Sequence, residues 1–485
     1  MPPYNNDTGK TYHALKRLAE ADPAQGGGLY CGPLRLLALE VYENLNKKGI
    51  YTNLTTGQEK REVPGATHTS CTLEMVSLQK HYDVVVIDEI QMIADRERGY
   101  AWTWALLGLI ANEVHLCGGM EAAHLVQKLV ESTGDEFILQ PYQRLAPLYV
   151  AQESLGGDYS KVRPGDCIVA FSRGDIFSIR KTIESLTPYK CAIIYGQLPP
   201  ETRSTQARLF NEENTGYDIL VASDAIGMGL NLNIRRIVFH TAVKGAFNNS
   251  DGPWVEATSI KQIAGRAGRL SSNYKFGEVT AWQEVDLAYI RAVMDAGDLP
   301  SIDAAGVFPT VGQIEAFTDY YKKSLTLKED NSKQMINQTF KSAEEDGEIS
   351  NEEETKEEFT LITASADSEL EYPAAPAIGK VVPSKKKDSN HKNDEAQTYA
   401  TAVLNNMQLS SVLDLFKKFS KIDGRYFLCD YSGAKLISNW LHSIPLSITD
   451  KFIFSTAPVN SVDNFSMNML YEFASAYALG RYWAI

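Results

Sequence analysis

A chain of 485 residues is too long for one hydrophobic core, so two or three domains are expected. Apolar residues make up 44% of it, as in a globular protein, and no apolar run is long enough to span a bilayer as a helix. The net charge of −14 argues against a polyanion binder, but the acid is local. Between Lys341 and Glu371, twelve acidic residues stand against two lysines, so a basic groove elsewhere is compatible with the total. The six cysteines (Cys31, Cys71, Cys117, Cys167, Cys191, Cys429) show no C-x-x-C spacing and mostly end or interrupt apolar strands. Buried reduced thiols are expected rather than disulfides or a zinc site. The start reads as neither a signal peptide nor an Arg/Ser-rich transit segment.

Thr8-Gly9-Lys10-Thr11 opens a predicted helix with Ala14, Leu15 and Leu18 on one face. Gly-Lys-Thr at a helix start is the second half of a phosphate-binding loop. There Lys10 reaches the β- and γ-phosphates and the Thr11 hydroxyl binds magnesium. The full pattern wants a glycine five residues before Gly9, where Tyr4 stands, and a strand before that. Met1 to Asp7 is therefore expected to be a misread or internal start. Gly26-Gly27-Gly28 turns into a strand at Leu29-Tyr30-Cys31, followed by Gly32 to Ala38 and a helix to about Asn46. Thr67 to Thr72 reads as a polar strand. Thr55-Thr56-Gly57 and Thr69-Ser70 suit contacts to nucleic-acid phosphates, or equally helix caps.

Val84 to Ile87 is a continuous apolar run without alternation, the pattern of a strand buried on both faces of a parallel sheet. It ends in Asp88-Glu89-Ile90-Gln91, at the sheet edge where ligands are usually met. One carboxylate there can hold magnesium and the next can orient an attacking water. Two solvated acids would read the same way. A helix from Trp102 to Ile110, a strand at Val114 to Gly118 and an apolar segment at Phe137-Ile138-Leu139 complete a βαβ series.

The rhythm restarts after a linker at Ser154 to Gly165. Buried strands are predicted at Cys167–Phe171, Cys191–Tyr195, Ile219–Ala222 and Ile237–Phe239. Ser223 to Gly229 is a glycine-punctuated turn suited to backbone amides on phosphate or ribose. Gln262 to Arg269 places Arg266 and Arg269 three apart on one side of a predicted helix. Gly265 and Gly268 inside it each cost about 1 kcal/mol relative to Ala, which implies a packing reason. Two such arginines can close on a γ-phosphate held by the first domain. Removing an arginine finger of this kind costs roughly 10³ or more in turnover.

These motifs, in this order, resemble a superfamily-two helicase. Tyr30 to Leu34, Asp88 to Gln91, Arg98 to Trp102, His115 to Gly118, Ser223 to Leu232, Asp423 to Phe427 and Ile444 to Ser447 resemble the mitochondrial RNA helicase of the suppressor-of-Var family. The resemblance implies two tandem RecA-like parallel-sheet domains, the first truncated at its N-terminus, then a helical C-terminal domain with a disordered insertion. It implies domains at 1–150 (ATP-binding) and 151–300, a helical start at 301–327, an acidic insertion at 328–397 and a helical domain at 398–485. It assigns Gly9 and Lys10 to ATP phosphates, Thr11 and Asp88 to Mg2+, Glu89 to the attacking water, and Gln262, Arg266 and Arg269 to the γ-phosphate. Gly229 joins the nucleotide set. Gly32, Pro33, Arg35, Thr56, Phe171, Ser172 and Ser223 would track RNA. The implied activity is ATP-dependent unwinding of RNA, and of DNA–RNA hybrids or DNA, from 3′ to 5′ in the mitochondrial matrix. The implied partner is the 3′-to-5′ exoribonuclease of the mitochondrial degradosome, with no membrane. Two departures stand out: Tyr4, and Gly119-Met120 where the family has Glu-Pro. A catalytically impaired scaffold for an exoribonuclease and a DNA helicase are the alternatives.

Beyond Pro309, Val311 to Tyr321 reads as a helix and 328–397 as a disordered insertion. Leu409, Val412, Leu413, Leu415 and Phe416 mark an amphipathic helix. Trp440, Phe452, Phe454 and Tyr471 are expected in a small helical core rather than stacked on bases.

Overall fold

The computed structural model describes residues 10–323 and 408–481, except 143, 145, 228, 230, 245–251, 269–273, 298, 322, 421, 458, 460 and 462. Tyr4, Gly9, Arg269 and the predicted insertion at 328–397 lie outside the described residues.

The first sheet is fed by β1 (Gly28–Gly32), β2 (Thr52–Thr55), β3 (Lys60–Arg61), β4 (His68–Thr72), β5 (His81–Ile87) and β6 (Ile110–Leu116). Four helices accompany them: α1 (Lys10–Ala19), α2 (Arg35–Lys47), α3 (Gly99–Gly108) and α4 (Ala123–Thr133). The strand order is β3-β2-β4-β1-β5-β6. Every neighbouring pair is parallel except β2 with β3. β5 is buried on both faces, as its apolar run predicts. Val85 and Ile87 pack with Trp102, Leu125 and Leu129 on one side. Val84 and Val86 pack with Leu15, Leu18 and Leu45 on the other. Each of these four side chains is fully buried, worth about 1.5–3 kcal/mol apiece.

The second sheet has β7 (Leu148–Val150), β8 (Asp166–Val169), β9 (Cys191–Ile194), β10 (Ile219–Ala222), β11 (Arg236–Phe239) and β12 (Gly277–Ala281). Its helices are α5 (Arg173–Leu186), α6 (Pro200–Asn211), α7 (Ala257–Ala264) and α8 (Glu284–Asp295). The order is β7-β12-β11-β8-β10-β9, parallel throughout. A short parallel pair, β13 (Ala305–Val307) with β14 (Tyr426–Leu428), lies against α3. There Thr103 Oγ1 donates to Gly306 O at 2.6 Å and Asp430 N to Arg96 O at 2.7 Å.

Both sheets and this ribbon form one compact unit, and the helices from Pro309 onward form the other. The second unit contains helices at 311–321, Leu409–Phe419, Ser432–Trp440, Ile448–Ser455 and Asn464–Ala478. Leu409, Val412 and Leu413 are buried, the face the sequence predicts. Ile437, Leu441, Ile444, Met467 and Leu470 form a small core with Tyr471 and Phe454 partly buried against it. Trp440 departs from expectation, because the residue is 46% exposed.

Three other local readings change. Ile110 begins β6, so the preceding helix stops at Gly108. Phe137-Ile138-Leu139 forms no strand, and Ile138 is exposed. The Gln262 to Arg269 stretch is not one helix: α7 ends at Ala264, and Arg266 sits in the turn that follows. Gly268 explains the stop. It has φ +64°, and a Cβ there would lie 2.1 Å from Gly277 N. All six cysteines are free and buried. Among the described residues no helix is long and apolar enough to cross a membrane.

Candidate active site

β5 delivers Asp88 and Glu89 to the carboxyl edge of the first sheet. Asp88 is buried, and both of its oxygens are engaged. Oδ2 accepts from the Tyr30 hydroxyl at 3.0 Å, and Oδ1 accepts from Glu89 N at 3.0 Å. The carbonyl of Asp88 accepts from Trp102 Nε1 at 3.1 Å. Burial, then the Glu89 carboxylate, pushes the Asp88 carboxyl up to about 6, with Lys10 opposing. Burial first, and Asp88 next, raises the Tyr30 phenol well above its ordinary value.

Glu89 has φ +53° and ψ +51°, a left-handed conformation that costs an L-residue about 1–2 kcal/mol. The neighbouring loop holds it there. Gln91 Nε2 donates to Glu89 Oε2 at 2.5 Å, and Gln91 Oε1 accepts from Gly119 N at 3.1 Å. Ile90 N donates to Cys117 O at 2.9 Å, which ties the acids to the end of β6.

α1 brings Lys10 and Thr11 to the same place. Lys10 Nζ donates to Gly118 O at 2.9 Å. The Thr11 hydroxyl is buried, with the Cys117 thiol as a weak neighbour and no nitrogen or oxygen partner. An orphaned buried oxygen beside a buried carboxylate suits a hard cation with oxygen ligands. Thr11 and Asp88 therefore fit the magnesium role.

The remaining first-sheet residues form a loop cluster. Gly32 ends β1, and Pro33 O accepts from Arg98 Nη2 at 2.7 Å. Arg35 opens α2; its guanidinium donates to Gln58 Oε1, and its Nη2 lies 3.4 Å from Glu59 Oε1. Thr56 closes the same turn: Oγ1 accepts from Glu59 N at 3.1 Å and donates to Glu59 O at 3.2 Å. Arg35 and Thr56 thus meet through residues 56–59.

In the second sheet, Phe171 and Ser223 leave neighbouring strands β8 and β10 side by side. Lys244 Nζ lies 5.5 Å from the centre of the Phe171 ring. Ser172 Oγ caps α5 by accepting from Asp175 N at 3.1 Å. Ser223 Oγ accepts from Ala225 N at 3.1 Å. Arg266 donates to Gly227 O through Nε at 3.1 Å and through Nη2. The Gln262 carboxamide lies 3.7 Å from where a Cβ on Gly227 would stand. Gly229 has φ +79° and a Cβ there would meet Leu34 at 2.9 Å, so the turn packs closely on the start of α2.

Sequence reasoning placed Tyr30 and Trp102 in motifs without giving either a role, and it overlooked Arg144. Arg144 donates through Nη1 to Gly265 O at 2.9 Å and through Nη2 to Gly268 O at 3.0 Å, fastening the turn that carries Arg266. No local pattern marks it, since Gly265 and Gly268 are more than a hundred residues away in the chain.

Family models match on both sides of this geometry. The DEXQ-box helicase domain of Suv3 matches residues 3–142, the helicase conserved C-terminal domain 150–271, and Suv3 C-terminal domain 1 residues 437–478. The chain thus carries the DEXQ-box helicase domain of Suv3 and Suv3 C-terminal domain 1 on either side of a helicase conserved C-terminal domain. It is 40% identical to the mitochondrial DExH-box ATP-dependent RNA helicase DExH18 of Arabidopsis thaliana, over 97% of this chain and 49% of that protein. It is 37% identical to the mitochondrial ATP-dependent RNA helicase SUPV3L1 of Homo sapiens, over 97% of this chain and 50% of that protein. It is 44% identical to the mitochondrial ATP-dependent RNA helicase SUV3 of Oryza sativa subsp. japonica, over 66% and 55%. The chain spans about half the length of the curated relatives it matches.

Proposed function

We propose that this chain is an ATP-driven RNA helicase of the Suv3 family acting in mitochondria. The observation that supports this most is the convergence at one strand edge of Lys10, an orphaned Thr11 hydroxyl, and the Asp88–Glu89 pair. Lys10 exchanges its neutral carbonyl partner for phosphate oxygens when ATP binds. Thr11 and Asp88 would hold magnesium, which would supply charge neutralisation to the bound triphosphate. Glu89, aimed by its backbone and by Gln91, orients the attacking water and accepts its proton. Arg266 and Arg269 supply positive charge to the γ-phosphate from the second sheet, with Gln262 beside them and Gly229 approaching the nucleotide. Gly32, Pro33, Arg35 and Thr56 on one sheet, and Phe171, Ser172 and Ser223 on the other, follow the RNA backbone. Closure on ATP and reopening on hydrolysis advance the strand. A 3′-to-5′ exoribonuclease receives the released 3′ end.

The test is RNA-stimulated ATP hydrolysis together with unwinding of a 3′-tailed RNA duplex. The expected result is that both occur and that Glu89→Gln removes both while nucleotide binding survives. Hydrolysis unaffected by Glu89→Gln would overturn the assignment. Parallel DNA and RNA duplexes show which nucleic acid drives the cycle.

A further inference from the structure

Arg98 stands between the two halves of this site. Its Nη2 donates to Pro33 O at 2.7 Å and, at the same distance, to Glu74 Oε1, while its Nε donates to Glu74 Oε1 at 2.9 Å. Its guanidinium carbon lies 5.6 Å from the centre of the Trp102 ring. Trp102 is wholly buried, and its Nε1 holds the carbonyl of Asp88. Pro33 is joined covalently through β1 to Tyr30, whose hydroxyl holds the carboxylate of the same Asp88. The contacts therefore close a ring: Asp88, Trp102, Arg98, Pro33, β1, Tyr30 and back to Asp88. A shift of the Pro33 loop alters one of the two grips on Asp88. Glu89 is the next residue, in a backbone conformation that small changes at Asp88 re-aim.

We propose that Arg98 is a positioning residue that couples RNA contact at the Gly32–Pro33 loop to the hydrolytic pair. This rests on the reading that residues 32–35 face RNA and residues 88–89 serve ATP hydrolysis. A guanidinium is needed, because it lies over an indole within cation–π range while donating to a carbonyl and a carboxylate at once. The ring gives the coupling a contiguous physical route, through packed groups shared by both sites.

The experiment measures ATP turnover of the full chain with and without single-stranded RNA, for wild type, Arg98→Ala, Arg98→Lys and Trp102→Phe. Nucleotide affinity without RNA, RNA affinity and thermal midpoint are measured alongside. Arg98→Ala and Arg98→Lys should keep the RNA-free rate and the nucleotide affinity of the wild type. Their stimulation by saturating RNA should fall about fivefold or more. Combining Arg98→Ala with Trp102→Phe should lower stimulation no further than the stronger single change. If Arg98→Ala and Arg98→Lys are stimulated like wild type, the proposal is wrong. It is equally wrong if stimulation falls only in step with the RNA-free rate and the midpoint, which marks a merely structural arginine. A wild-type chain whose turnover RNA does not change would instead overturn the helicase reading itself.

Discussion

The two sheets share one architecture but differ at both ends. At the carboxyl edge, the first sheet concentrates ionisable groups: Lys10, Asp88 and Glu89, held by Gly118, Tyr30 and Gln91. The second sheet offers hydroxyls, aromatic rings, an arginine that rests on a backbone carbonyl and a half-exposed Lys244–Asp224 pair at 3.4 Å. At the amino edge the contrast reverses. The second sheet buries an ion pair, in which the Asp166 carboxylate accepts from Arg236 Nε at 3.0 Å, Arg236 Nη2 at 2.5 Å and Arg163 N at 2.8 Å. The first sheet places Asp83 at 3.8 Å from Arg17, whose side chain is one-third exposed. The same strand pattern thus offers a candidate site at one edge and an anchor at the other, according to the residues at and beside the strand ends.

The sharpest way to break that contrast is at the carboxyl edges. Glu89→Gln and Arg266→Ala should each lower ATP turnover by about 10³, the first without loss of nucleotide affinity, as steady-state hydrolysis and equilibrium binding will show. At the amino edges the order should invert. Asp166→Ala leaves Arg236 buried and unpaired, and should cost about 3–5 kcal/mol in chemical denaturation. Asp83→Asn should cost less, about 1–3 kcal/mol, because one of the two oxygens that accept from Asp22 N and Asn112 Nδ2 becomes a donor.

Acid should act on each sheet through a histidine, with the raised carboxyl of Asp88 opposing the loss in the first. Each holds a histidine, His68 buried and His240 half-buried, whose desolvation holds its pKa below the ordinary 6.5. A depressed pKa contributes stability above 6.5 that is lost as pH falls through the folded value. The denaturation midpoint should therefore drop from about pH 7 to about pH 5.5, and His68→Gln with His240→Gln should flatten that slope. A slope removed by one substitution alone would show that the sheets are not equivalent in this respect.

The strands were legible because burial on both faces leaves continuous apolar runs, as at Val84–Ile87 and Ile219–Ala222. Lys10, Asp88 and Glu89 were legible because phosphate chemistry demands fixed residue types at element ends. The supporting residues were not. Tyr30 meets Asp88 across 58 positions and Arg98 meets Pro33 across 65, and no local pattern records such contacts. The helix predicted through Arg266 failed for a related reason. Two glycines there were read as interior packing, but Gly268 serves a close backbone approach to Gly277 that only the folded chain reveals. Phe137–Leu139 has strand-like composition yet finds no neighbouring strand to pair with.

The placement of the six thiols has a practical consequence. Cys31, Cys71 and Cys117 sit in or beside the first sheet, Cys167 and Cys191 in the second, and Cys429 beside the ribbon, all shielded from reagents. Alkylation under native conditions thus becomes a clock for transient opening, with a separate dial for each part of the molecule. Peptide mapping of the labelled cysteines will read out which sheet loosens first, with no engineered probe.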